Sequence, residues 1–425
     1  MKEDFLHYIW QFQYFDKTGL CTTDGQPLTV LKPGYHNTNA GPDFTAARIR
    51  IGDIDWTGCV EVHIQATDWF KHRHQQDEKY DQVILHVVWE ADTPVQLSDK
   101  TALPTLELKN RISDKLLQNY HLLSLDKKGL PCEPMWPTLN SISKTMMLER
   151  ALVERLQQKG DQVLELHRQN NYDWEETAYQ VLLRSFGFKI NQEGFSKLAQ
   201  QLPYNILRRH RHSVLQLEAL LLGQAGFLEE GQEDEYLQKL RVEYKYLQHK
   251  YKLQPLAVKD WNMLRMRPAN FPPVRLAQLA MFLHRHEHLF SVMQHETDLS
   301  KLEQLFKVQQ SAYWQKHYLP GRVSARKLSS IGRSSIHNLI INTVVPLQAA
   351  FARFYQDHEL LQRGIYVLQQ LLAENNHITR LFLDLGVPHK TAADSQAILS
   401  LYRNYCEQRR CLSCLVGNAA IKQNL

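Results

Sequence analysis

The residues best placed for chemistry in this 425-residue chain are Asp43, closing the run Asn39-Ala40-Gly41-Pro42-Asp43, and Glu61 with His63. Gly41 and Pro42 force a turn, so Asp43 stands at the mouth of the segment that follows. Glu61 and His63 are two apart and share one face of an extended strand. A hairpin about Gly52, nine residues from both Asp43 and Glu61, brings the two carboxylates side by side. Paired carboxylates repel unless a divalent cation lies between them. Such an oxygen-rich site suits Mg2+ or Mn2+, with the Val62 carbonyl as a further ligand. His63 accepts a proton near neutral pH and is expected to orient or deprotonate a nucleophile. The expected metal ligands are therefore Asp43 and Glu61, and the expected catalytic set is these two with His63. The plainer alternative has Asp43 capping a turn and Glu61 meeting Arg48 or Arg50.

More polar residues follow closely. Gln65 shares the face of Glu61 and His63, and Asp68, His72 and His74 lie just beyond, with Trp69, Tyr80 and His86. They are expected to wall the pocket, with Gln65, Asp68, His72 and His74 contacting substrate. A zinc site built from the imidazoles competes with this. On a helix, residues 72 and 74 do not share a face, so one ion takes both only if the backbone there is extended. His86, inside a strand, reads as a buried, hydrogen-bonded histidine. Glu107 and Lys109 read as a solvated strand end, and Glu3 and Asp4 as favouring a helix N-terminus.

Cys406, Cys411 and Cys414, half of the six cysteines, fall within nine residues. That density suggests soft metal coordination, with Cys132 as fourth ligand and zinc or an iron–sulfur cluster as competing occupants. Buried thiols in a packing interface are the alternative; Cys21 and Cys59 read as ordinary strand or loop residues. Among the basic clusters, Arg265 and Arg267 sit in WNMLRMRPANFPPVR beside Trp261 and Phe271, a loop suited to holding phosphates and stacking on bases.

The elements that position these groups change texture along the chain. Residues 4–15 form an amphipathic helix with Phe5, Ile9 and Phe12 on one side. QPLTVLK, FTAARIRIG and DIDWTGCVEVHIQ read as strands, the last two as a hairpin turning at Ile51-Gly52-Asp53-Ile54. Residues 67–80 read as a polar helix with Thr67 as N-cap, VILHVVWEA as a central strand and PTLELK as a last one. Proline-rich residues 121–141 read as a linker. Helical periodicity then runs to the end without a fixed repeat. The expected fold class is α+β: an α/β domain over 1–120, the linker, and an all-α domain over 142–425 that carries the cysteine cluster.

Helix, strand, strand opening on Pro-Asp, strand carrying Glu-x-basic, helix, strand is the core order of the PD-(D/E)XK nucleases, which this segment resembles. Asp43 matches the motif aspartate and Glu61 the motif acid. The chain is also similar to an uncharacterised bacterial family, domain of unknown function 2851, in which AGPDF, W-x-G-x-VE-x-H, DW-x-x-H-x-H and ILHVV recur in this order. That likeness extends to the closing Cys-x4-Cys-x2-Cys-x-x-Gly. The nuclease resemblance implies a restriction-endonuclease-like αβββαβ domain and metal-dependent hydrolysis of DNA or RNA. One departure matters: nucleases of this kind carry lysine two residues after the acid, and this chain has His63. Two outcomes stay open, an altered mechanism or an inactive scaffold that binds nucleic acid or a protein partner.

Composition sets the outer bounds. Apolar residues make up 43% and charged residues 22%, as in soluble globular proteins. No apolar run approaches the roughly 18 residues of a membrane span. The opening MKEDFLHYIW carries acids where a secretory signal is basic and then apolar, so the expected location is cytoplasmic. A net charge of +5 permits nucleic acid as a partner and is too small for a coating protein.

Overall fold

The computed structural model describes residues 1–125, 129–228 and 234–423. The chain forms two compact units, Met1–Met147 with Leu401–Leu425, and Leu148–Ser400.

The first unit opens with helix α1 (Glu3–Phe12), with Glu3 and Asp4 in its first turn and Phe5, Leu6, Ile9 and Trp10 buried. Phe12, expected on the apolar side, is instead 46% exposed. The helix ends at that residue, and the ring packs against Tyr8 and Tyr14 at the rim. Five strands follow in the order β1-β3-β4-β5-β6. They are β1 (Leu28–Lys32), β3 (Phe44–Ile51), β4 (Ile54–Gln65), β5 (Val83–Glu90) and β6 (Thr105–Glu107); the short β2 (Tyr35–His36) pairs with β3 off this path. Strands β1, β3 and β4 run antiparallel, whereas β4, β5 and β6 run parallel. Strand β5 is buried over most of its length, residues 85–88 without interruption, which explains its continuous apolar run.

The β3–β4 hairpin turns through Gly52, in the left-handed region at φ 59°, and pairs Ile51 with Ile54. Continued regularly, that register sets Asp43 opposite Val62. A bulge between Phe44 and Ala47 shifts it by one, so Phe44 pairs with Val60 and Asp43 comes opposite Glu61. Ala46 makes the bulge with φ 53°, a conformation that residues with a Cβ rarely adopt.

The crossover from β4 to β5 is not the single helix expected over 67–80. Helix α2 lasts one turn (Asp68–Lys71), and 3-10 turns follow at His74–Gln76 and Glu78–Gln82. Thr67 makes no cap bond to α2; its N–H and hydroxyl donate to Asp92 at 2.9 and 2.7 Å. Left-handed Arg73 (φ 63°) ends the helical path.

Helix α3 (Asp114–Ser124) is capped by Ser113, whose Oγ accepts the Leu116 N–H at 3.2 Å. It runs into the segment expected to be a linker, of which residues 126–128 lie outside the described residues. Further on, a 3-10 stretch at Glu133–Thr138 buries Met135 and Trp136. Residues 401–425, expected in the helical domain, belong to this first unit. Asn119 on α3 donates to the carbonyls of Ile421 and Gln423, both at 3.0 Å.

The second unit is helical around one apolar core that includes Tyr179, Phe186, Leu221 and Phe282. Among the described residues its strands are the short pair His317–Leu319 and Arg322–Val323. No helix of the described residues is long and apolar enough to cross a membrane.

Candidate metal centre

Strand alternation places Glu61 and His63 on one face of β4, and both are buried, at 4% and 1% exposure. The parallel partner of Glu61 on β5 is His86, so its imidazole joins the same face. The broken crossover adds two more. Because Arg73 turns left-handed between them, His72 and His74 both point to His63, which a continuous helix forbids. Ligand nitrogens of His63, His72 and His74 all lie within 4.8 Å of one another, the one such set of three among the described residues.

The contacts are specific. His63 Nδ1 lies 2.8 Å from His86 Nε2, and His63 Nε2 lies 3.1 Å from His72 Nδ1. Glu61 Oε1 lies 3.2 Å from His74 Nε2 and 3.6 Å from His63 Nε2. His74 Nε2 is buried and makes no aligned hydrogen bond, as is true of His86 Nδ1. The Tyr80 ring stacks on His74 at 3.7 Å between centroids.

Burial and the neighbouring imidazoles of His86, His74 and His72 push the His63 pKa down to about 2. Burial, with His74 adding to it, lowers His86 to about 3. Both rings are therefore neutral, the form that binds a metal. Burial raises the Glu61 pKa, with the adjacent Asp43 adding to the rise. A cation here relieves that cost.

Asp43 and Glu61 interlock. The Asp43 N–H donates to Glu61 Oε2 at 3.0 Å, and the Val62 N–H donates to Asp43 Oδ2 at 2.9 Å. Asp43 Oδ2 also lies 3.2 Å from His7 Nε2 on α1. Burial lowers the His7 pKa, but Asp43 outweighs it and leaves the value raised. Among the described residues the ion-pair partners of Glu61 are His63 and His74 rather than an arginine; Arg50 pairs with Asp55 at 2.6 Å.

The remaining candidates fall elsewhere. Gln65 is exposed at the end of β4. Asp68 is engaged by the Gln65 N–H at 3.0 Å and by Lys71 Nζ at 2.7 Å, so it serves the crossover turn. Arg265 and Arg267 are exposed in the helical unit. Glu107 accepts the Ala91 N–H at 2.9 Å and Lys109 pairs with Glu90 at 2.6 Å, consistent with a solvated strand end. Cys132, Cys406, Cys411 and Cys414 all lie in the first unit. Sequence reasoning passed over His7, whose one signal is its place one helical turn after Glu3.

No match was found among curated proteins, and none among solved structures. A family model described as "Protein of unknown function (DUF2851)" matches residues 3–377. The match contains the whole histidine–carboxylate cluster and stops short of Cys406. With all but its last segment covered, the chain belongs to the DUF2851 family.

Proposed function

We propose that the first unit is a metal-dependent phosphodiesterase acting on DNA or RNA. The observation that carries the reading is the convergence of His63, His72 and His74 within 4.8 Å, with Glu61 against two of them. The phosphodiester substrate is inferred from the resemblance in strand order and from the Pro-Asp and Glu-x-basic positions.

The donors bear on which ion fits. Three imidazole nitrogens and one carboxylate oxygen suit Zn2+ or Mn2+ better than Mg2+, which prefers oxygen. Zn–N bonds of about 2.1 Å set tetrahedral ligands about 3.4 Å apart, near the 3.1 Å between His63 and His72. When bound, the ion supplies Lewis-acid polarisation of a phosphoryl oxygen. His63, His72, His74 and Glu61 would hold it. His63 then acts as ligand and not as base: both its nitrogens are engaged, and burial opposes its protonation. His86 fixes the His63 ring through Nδ1. His7, whose pKa is raised, is the group able to carry positive charge toward a phosphate, a task neutral His63 cannot take from the missing lysine.

A second reading, an inactive scaffold, draws on the interlocked carboxylates, because each already accepts a backbone N–H from the other's strand. One experiment separates the two. The metal-stripped protein is titrated with Zn2+, Mn2+ and Mg2+, and cleavage is measured on mixed single- and double-stranded DNA and RNA. Cleavage that requires Zn2+ or Mn2+ and disappears in His72→Ala is expected. Ion binding without cleavage of any substrate replaces the enzyme with the scaffold.

A further inference from the structure

We propose that Cys132, Cys406, Cys411 and Cys414 form a second, thiolate-bound metal centre that fastens the end of the chain to the first unit. It is independent of the histidine cluster and of the reaction proposed there.

Local structure shows how the three clustered cysteines are presented. A π-helical turn, Tyr402–Cys406, delivers Cys406, and the chain reverses through left-handed Arg409 at φ 55°. A 3-10 turn then spans Cys411–Ser413, with the Cys414 N–H donating to the Cys411 carbonyl at 3.2 Å. The helix Leu415–Ile421 packs onto that turn so closely that a Cβ on Gly417 would stand 2.1 Å from the Cys411 carbonyl oxygen. Glycine is required for this approach. Asn418 locks the turn, its Nδ2 donating to the carbonyls of Leu412 at 2.9 Å and Cys414 at 3.0 Å. The result is a pair of thiols presented from a tight, glycine-backed turn, a rigid form of ligand pair.

Cys132 reaches the same place from a distant part of the sequence, on the turn that precedes the Glu133–Thr138 stretch. Its thiol interacts electrostatically with those of Cys411 and Cys414, and Cys406 interacts with all three. All four are free of disulfides, and Cys132 and Cys414 are buried. A bound cation would convert these thiols to thiolates, the form that ligates a metal.

Spacing bears on the occupant. Zinc, with Zn–S bonds of about 2.3 Å, holds sulfurs about 3.8 Å apart. Among the described residues, no three cysteine sulfurs all lie within 4.8 Å of one another. The wider spacing favours an iron–sulfur cluster over a single zinc ion.

The test uses the full chain purified anaerobically. About four iron with visible charge-transfer absorption, or about one zinc, is expected per chain beyond the ion removed by His72→Ala. A mercurial thiol reagent should release this metal from the wild type. Cys132→Ser and Cys411→Ser should each lower its content at least tenfold, whereas Cys21→Ser, at an exposed site, should not. Releasing the metal should also open the Arg409–Arg410 segment to trypsin. Protein that stays free of iron and zinc when both are supplied in growth overturns the proposal. So does metal that survives the mercurial, a measurement that does not depend on whether the serine variants fold.

Discussion

His72 is the exposed member of the imidazole triad, whereas His63 and His74 are buried. That difference decides which substitutions inform. His72→Ala should fold with an unchanged melting temperature and bind Zn2+ or Mn2+ at least tenfold more weakly by calorimetry. Equal affinity would remove His72 from the ligand set. His63→Ala is a poorer probe, because it opens a buried cavity and strips His86 of its partner. His63→Lys restores the residue found in the nucleases this unit resembles. The position is 1% exposed, and an ammonium there would be desolvated among neutral imidazoles. The lysine variant should therefore lose the ion and unfold at lower temperature; a lysine variant that binds metal and cleaves better than wild type would return His63 to the role of base or water-orienting group. His86→Gln, which touches no metal, should weaken the ion by roughly 10- to 100-fold, the usual effect of freeing a ligand's outer hydrogen bond. The Glu61–His63 face was legible from alternation alone. His7 was not, because nothing in a helix sequence says which residue will face a strand end.

The bulge at Ala46 sets which side chains meet. The symmetric count about Gly52 places Asp43 opposite Glu61, yet the hairpin reaches that pairing differently. A two-residue turn pairs Ile51 with Ile54, and the bulge then shifts the register by one. No proline or glycine marks Ala46, so the compensation is invisible in composition and shows only in φ 53°. Glycine tolerates this conformation and β-branched residues do not. Ala46→Gly should leave the unit as stable or firmer by up to about 1 kcal/mol. Ala46→Val should cost about 2 kcal/mol and weaken metal binding, since regular pairing carries Asp43 toward Val62. Chemical denaturation with parallel metal titration measures both, and equal behaviour of the two variants would mean the bulge does not control the site. The crossover was harder to read. Residues 67–80 have helical composition, but Asp92 claims Thr67 and Arg73 turns left-handed, two long-range and conformational facts that local propensity does not contain.

The division into two units follows contacts far apart in sequence, which is why residues 401–425 could not be assigned from periodicity. Their helical pattern matches the segments before them, while their anchor, Asn119, lies in the first third of the chain. Two substitutions probe the units separately. Asn119→Ala removes both bonds to the Ile421 and Gln423 carbonyls and should cost roughly 1–3 kcal/mol, lowering the unfolding transition of the first unit. In the helical unit, Glu218 is fully buried, accepting from Tyr236 and from Trp314 Nε1 at 3.2 Å. Burial raises its pKa from 4.5 to about 7. The folded state thus binds the proton more tightly than the unfolded chain. The resulting stability is fully present below the unfolded value of 4.5 and is lost as pH rises through 7. A rise from 4.5 to about 7 corresponds to about 3 kcal/mol. Glu218→Gln keeps an oxygen to accept from Tyr236 and Trp314 and cannot ionise. Differential calorimetry from pH 5 to 8 should show the wild-type transition of this unit falling relative to the variant. The variant should be the more stable protein at pH 8, while the transition that responds to Asn119→Ala stays where it was. Parallel pH profiles for wild type and Glu218→Gln would mean that Glu218 is already ionised in the fold, held by its two donors against the cost of burial.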